Sequence, residues 1–251
     1  MPPPTRLLRR NWPAAVILIA LAVGARAIDR PPPPANTATA PEPRPGLWEK
    51  AHAGFVERAR QGDVDLVFLG DSITAGWAGA GPIWSRYYAP RKAVNFGIGG
   101  DRTQHVLWRV DHGELDGVRP RAVVLLVGTN NLANNTEDQV VDGVAAVVDR
   151  VRARLPGSKI LLLGIFPRAP GLDRDEASAE PEPRVARVNT RIAGLADGRA
   201  VRYLDIGARF LDEDGRIPRG IMPDLLHLSR KGYQIWADAI EPALWELMEG
   251  K

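Results

Sequence analysis

The 251 residues include no cysteine, which excludes disulfides, thiolate metal sites and a cysteine nucleophile. Thirty-three basic residues face 30 acidic ones, but four of the arginines (Arg6, Arg9, Arg10, Arg26) fall within residues 1–27, where there is no acid. Without that stretch the chain holds 29 basic and 30 acidic residues, so its charge gives no argument for nucleic acid as a partner.

Residues 1–27 place arginines before an apolar run from Trp12 to Ala25, and Ala25-Arg26-Ala27 follows as a small-x-small site. This is the layout of a secretory signal peptide, or of an N-terminal anchor if it is not cleaved. The run is shorter than the ~20 apolar residues of a confident spanning helix. An exported protein, periplasmic or secreted, is therefore expected. Residues 28–45, rich in proline, alanine and threonine, read as a stiff extended linker with nothing to bury. The folded domain is expected over 46–251.

Leu47 to Arg60 has the periodicity of an amphipathic helix. Asp63 to Leu69 is an apolar, β-branched run of strand length, and Gly70-Asp71-Ser72 follows at once. A short helix over Ile83–Tyr88 and a short strand over Ala93–Phe96 come next, and the strand ends in Gly97-Ile98-Gly99-Gly100. Asp101 and Gln104 have capping-box spacing ahead of a helix over Thr103–Val110. Ala122–Val127 is an unbroken apolar strand that stops at Gly128-Thr129-Asn130-Asn131. A long helix over Asp138–Leu155 is ended by Pro156-Gly157. Lys159–Phe166 is a strand, 167–183 a charged loop, Arg184–Ala196 a helix and Ala200–Ile206 the last strand. Ser229–Met248 is the closing helix, with Ser229 as its N-cap.

Strands that alternate with helices and are continuously apolar predict a parallel sheet covered on both faces. The expected fold is α/β: three layers around five parallel strands in a flavodoxin-like order.

Chemistry-bearing residues stand at three strand exits. Ser72 follows the first strand, where an open parallel sheet places its ligands, and it reads as a nucleophile or as a helix N-cap. Gly99-Gly100-Asp101 follows the second, either as a simple turn or as backbone N–H groups open to a ligand. Asn130 follows the third, as an Asx-turn residue or as a donor to an oxyanion. Near the C-terminus, Asp224 stands three residues before His227, within reach of Nδ1. That contact fixes the tautomer and leaves Nε2 to accept a serine proton. Of the four histidines His227 is the one with an aspartate at this offset; a merely structural histidine is the alternative. Taken together, a serine, two donor positions and an Asp–His pair make a complete acyl-transfer site needing no metal or cofactor. No Gly-x-Ser-x-Gly elbow is present.

These blocks resemble those of the SGNH (GDSL) hydrolases: Gly70-Asp71-Ser72-Ile73, Gly100, Gly128-Thr129-Asn130 and Asp224-x-x-His227, in order across residues 64–248. Within that family, residues 95–101, 103–109, 127–131 and 226–229 look like the catalytic subunits of intracellular platelet-activating-factor acetylhydrolase. The resemblance implies Ser72 as nucleophile, His227 as general base and Asp224 as its orienting carboxylate. It also implies an oxyanion hole of Ser72 N–H, Gly100 N–H and the Asn130 side chain, with Gly99 replacing Gly100 if the loop is read one residue differently. Ile73, Thr129 and Leu226 would close the acyl pocket, leaving room for a short group such as acetyl.

Three departures limit what carries over. Ile73 replaces the usual leucine, Leu225 stands at an aromatic position of those subunits, and the loop 168–183 is unlike theirs. The alcohol, the dimerisation and the regulatory partner of those cytosolic enzymes are therefore not carried over, and a homodimer is left open. The implied substrate is a small-molecule, lipid or glycan ester. A carbohydrate or cell-envelope O-acetylesterase on the same site, and a non-catalytic ligand-binding domain, are the two rival readings.

Overall fold

The computed structural model describes Met1, residues 35–169 and residues 178–250. The leader and the first part of the proline-rich stretch lie outside the described residues, apart from Met1, as do residues 170–177 of the charged loop. Among the described residues no helix is long and apolar enough to cross a membrane.

The strands are β1 (Leu66–Gly70), β2 (Ala93–Gly97), β3 (Ala122–Leu126), β4 (Lys159–Leu163), β5 (Ser178–Ala179), β6 (Val201–Leu204) and β7 (Ile217–Pro218). The helices are α1 (Leu47–Arg60), α2 (Ser72–Ala75), α3 (Gly81–Tyr87), α4 (Thr103–Asp111), α5 (Glu137–Arg154), α6 (Pro183–Ile192) and α7 (Arg230–Glu249). Five strands pair in parallel in the order β2-β1-β3-β4-β6, the doubly wound arrangement expected from the alternation of elements. The centre of the sheet is apolar on both faces: every residue of β1 and β3 is buried. One face packs Phe68, Val124 and Leu161 under Trp77, Tyr88 and Trp236. The other packs Val67, Val123 and Leu162 under Val144, Val148 and Val188. A strand with both faces covered has no polar alternation to show, which is why these runs are continuous in the sequence.

Register then brings the functional exits to one edge. Gly70 of β1 pairs with Gly97 of β2 and with Leu126 of β3, so the residues after all three emerge side by side at the carboxyl rim. Two short strands, β5 and β7, pair antiparallel beside the sheet. Each is two residues long, too short for periodicity to reveal.

Two expectations are corrected. The stretch 35–45 is not a bare linker. A turn of 3₁₀ helix at Thr37–Thr39 buries Ala38 completely, the Thr103 hydroxyl donates to Ala38 O at 2.7 Å, and Asn135 Nδ2 donates to Thr37 Oγ1 at 2.9 Å. Gly143 of α5 makes the seat, since a Cβ there would stand 2.9 Å from that of Ala38. Composition hid this because a single buried alanine and hydrogen bonds from side chains distant in sequence suffice to hold the segment. The capping box at Asp101 and Gln104 does not form either. Arg102 takes the N-cap position of α4, and its N–H donates to His105 Nδ1 at 3.0 Å. Burial, followed by the nearby arginines Arg44, Arg102 and Arg109, pushes His105 down to about 4, so the ring is neutral and can accept. The Asp101 carboxylate is engaged elsewhere, as described below.

Candidate active site

The β1 strand delivers its last residue, Gly70, into a space that admits no side chain: a Cβ would stand 2.2 Å from Leu126 O. Asp71 then caps α2, its Oδ1 accepting from Ile73 N at 2.9 Å. Ser72 is therefore not the cap but the first helical residue, where the helix itself supplies no partner for the N–H. Its hydroxyl is left free of capping duty.

The imidazole arrives from the other end of the chain. His227 Nε2 lies 2.8 Å from Ser72 Oγ, and His227 Nδ1 lies 2.6 Å from Asp224 Oδ2. The second carboxylate oxygen, Oδ1, accepts from His227 N at 2.7 Å and from Leu226 N at 3.1 Å. An ionised carboxylate only accepts, so Nδ1 carries the ring proton and Nε2 accepts from the serine hydroxyl. Burial alone would raise the Asp224 pKa, but the hydrogen bonds from the His227 ring and from two backbone N–H groups hold it below the ordinary carboxylate range. The turn that makes this possible passes through Leu225 at φ +61°, an uncommon conformation for a branched side chain. Leu225 is fully buried in the core, and Ala169 N donates to its carbonyl at 2.9 Å, which holds it there.

The other two exits lie at the same rim of the sheet. Gly100 sits at φ +76° in a turn closed by Asp101 N donating to Ile98 O at 3.2 Å. Asn130 projects from a 3₁₀ turn at Thr129–Ala133, and its Nδ2 donates to Asp101 O at 2.8 Å. The amide carries a second proton. The next residue, Asn131, ties the same loops together, accepting from Thr103 N at 2.9 Å. Asp101 is the hub: fully buried, it accepts at Oδ1 from Trp48 Nε1 at 2.7 Å and from Arg44 at 3.2 Å, while Arg109 Nε lies 2.9 Å from Oδ2. Burial raises its pKa above the usual range, against the pull of Arg109. Arg109, itself fully buried, also pairs with Glu114 and donates to Phe96 O and Gly70 O, each at 3.0 Å. One guanidinium thus fastens the ends of β1 and β2, the strands that carry the serine turn and the glycine loop.

The sequence pattern of the GDSL-like lipase/acylhydrolase family matches residues 68–235. Over 207 residues the chain is 38% identical to the alpha1 subunit of platelet-activating factor acetylhydrolase IB from Homo sapiens, covering 81% of this chain and 85% of that one. The chain belongs to the GDSL-like acylhydrolase family. Among solved structures, a protein from Streptococcus pneumonia named for platelet activating factor superposes with a TM-score of 0.66 at 23% identity, over 78% of this chain and 92% of that one. A GDSL-like lipase from Bacteroides thetaiotaomicron gives 0.60 at 21% identity, over 80% and 96%. Similarity at that level shows a shared fold, and the family makes this chain a hydrolase of the esterase type.

Of the three residues assigned to the acyl pocket, Ile73 is buried in the core cluster and Leu226 packs partly buried against it. The buried Thr129 lies under Arg168, whose Nη1 donates to Thr129 O at 2.6 Å and to Thr129 Oγ1 at 3.1 Å. Sequence reading gave this GDSL-like acylhydrolase no role for Asp71, Arg109, Arg168 or Tyr233. Tyr233 of α7 donates to Ile73 O at 2.7 Å, so the helix that follows His227 also fixes the serine turn. A buried charge whose pairing is set by the tertiary fold leaves no local pattern; the one available hint was a lone arginine on the apolar face of α4.

Proposed function

We propose that this chain is an exported serine esterase that removes short acyl groups, acetyl foremost, through an acyl-enzyme. The observation that carries the reading is the unbroken hydrogen-bond chain Asp224–His227–Ser72, at 2.6 and 2.8 Å, across 155 residues of sequence. In the first step Ser72 Oγ attacks the ester carbonyl while His227 Nε2 takes its proton. The tetrahedral oxyanion is met by Ser72 N–H, Gly100 N–H and the Asn130 amide. His227 returns the proton to the departing alcohol, and a water then repeats the cycle and frees the acid. Asp224 stays ionised throughout and holds the imidazole in the productive tautomer. The signal-peptide layout of residues 1–27 supports export, and the bulk of Ile73, Thr129 and Leu226 supports a short acyl group.

Purified Ser72→Ala, compared with the parent chain on p-nitrophenyl acetate, tests the proposal. A fall of several powers of ten in kcat is expected, together with loss of labelling by a fluorophosphonate. Unchanged turnover would end it. Parallel assays on acetylated glycans and on lipid acetyl esters identify the alcohol.

A further inference from the structure

The N-terminal segment that packs on the domain ends in a contact no sequence motif indicates. Arg44 Nη1 donates to Gly99 O at 2.8 Å and to Asp101 Oδ1 at 3.2 Å, so it brackets Gly100 from both sides. Its guanidinium lies so close above Gly100 that a Cβ there would meet Nη1 at 3.3 Å and Nη2 at 3.4 Å. Gly99 O and Gly100 N–H belong to one peptide unit, which is trans. In a trans peptide the carbonyl and the N–H point in opposite directions. Fixing the oxygen toward Arg44 therefore aims the N–H away from it. A positive charge on that oxygen also polarises the amide and strengthens its N–H as a donor.

The contact has work to do here. With glycine on both sides of the peptide, no side chain resists its rotation. Asp101 does not depend on Arg44, because Trp48 and Arg109 hold the carboxylate from within the core. Among the described residues, what Arg44 alone supplies is the hold on Gly99 O. The segment that carries it is itself anchored: Ala38 is buried, Glu42 N donates to Gln104 O at 3.2 Å, and Asn36 Nδ2 donates to Asp142 Oδ2 at 3.0 Å.

We infer that Arg44 is a positioning residue for the oxyanion hole, setting the plane of the Gly99–Gly100 peptide so that the Gly100 N–H faces the developing negative charge. The inference rests on the reading of Gly100 as an oxyanion donor given above. Arg44 acts on the transition state and not on ground-state binding, so the two kinetic constants should part.

The test compares the full chain with Arg44→Met, which keeps the stem and loses every donor, and Arg44→Lys, which keeps the charge on one compact ammonium but loses the planar fork. On p-nitrophenyl acetate Arg44→Met should lose roughly 10–100-fold in kcat, with KM within about threefold. Its fluorophosphonate inactivation rate should fall by the same factor, and Arg44→Lys should fall between it and the parent. The parent chain and Ser72→Ala run alongside. A parent that neither turns over nor labels refutes the esterase reading itself, whereas an active parent isolates the role of Arg44. Wild-type kcat in any folded Arg44 variant, or a loss confined to KM, overturns the inference. If Arg44→Met does not fold, Arg44→Lys decides by the same criteria.

Discussion

Asp71 sits one residue before Ser72 with no ion pair among the described residues, and Asp71→Asn exposes the consequence. The carboxyl is fully buried; Oδ1 accepts from Ile73 N at 2.9 Å, and Oδ2 has no partner among the described residues. Burial pushes its pKa up to about 7, with a further rise from Asp101, while the Ile73 hydrogen bond and the charges of His227 and Arg168 oppose this. Unfolded, the group titrates near 3.9. Between these values the folded chain holds a proton that the unfolded chain has released, so stability falls as pH rises from about 4 to about 7. The contribution is fully present below the unfolded pKa and fully lost above the folded one. The difference corresponds to roughly 4 kcal/mol. Asparagine keeps the shape and the acceptor but cannot ionise, so its own packing cost is the same at every pH. Urea unfolding of parent and Asp71→Asn at pH 4 and pH 8 should show the stability difference moving toward the variant by roughly 4 kcal/mol, with equal m values. A difference constant to within about 1 kcal/mol across that range would refute the reasoning.

Arg109→Met should cost about 3–5 kcal/mol, because it removes the buried guanidinium that pairs with both the Asp101 and the Glu114 carboxylates; the drop in the urea midpoint measures it. Leu226→Ala should open the acyl side, raising kcat/KM for butyrate and hexanoate esters relative to acetate by about 10-fold or more. An unchanged chain-length profile would remove Leu226 from the pocket.

The centre of the sheet was legible because buried parallel strands are apolar without interruption, and β1, β3 and β4 each stop at a glycine or within two residues of one. Ala122–Val127 ahead of Gly128 reads as a strand with no knowledge of its neighbours, and β3 covers Ala122–Leu126. The helix of Leu47–Arg60 was legible to the residue, since its flanking Gly46 and Gln61-Gly62 mark both ends. What failed to show was whatever depends on a partner distant in sequence. Asp101 has the spacing of a cap, but Trp48, Arg44 and Arg109 compete for its carboxylate and win, because a buried charge needs partners more than a helix end needs a cap. The segment 35–45 looked unstructured for the same reason: its anchors, Thr103, Asn135 and Gly143, lie 65 to 105 residues away.

The same distinction applies within the site. The groups that would act on a substrate carry local signatures, since each must stand at a strand exit or in a tight turn. The groups that hold them in place carry none. Arg109 fastens Gly70 O and Phe96 O from below, Tyr233 holds Ile73 O from the closing helix, and Arg44 grips Gly99 O from the N-terminal segment. All of these contacts end on backbone carbonyls of the rim, so they fix peptide planes irrespective of which side chains the rim bears. A site built this way can exchange the side chains of its rim without disturbing the donors that would face the oxyanion. Its geometry then depends on elements spread from residue 44 to residue 233, which is why a motif search finds the chemistry and overlooks the frame that aims it.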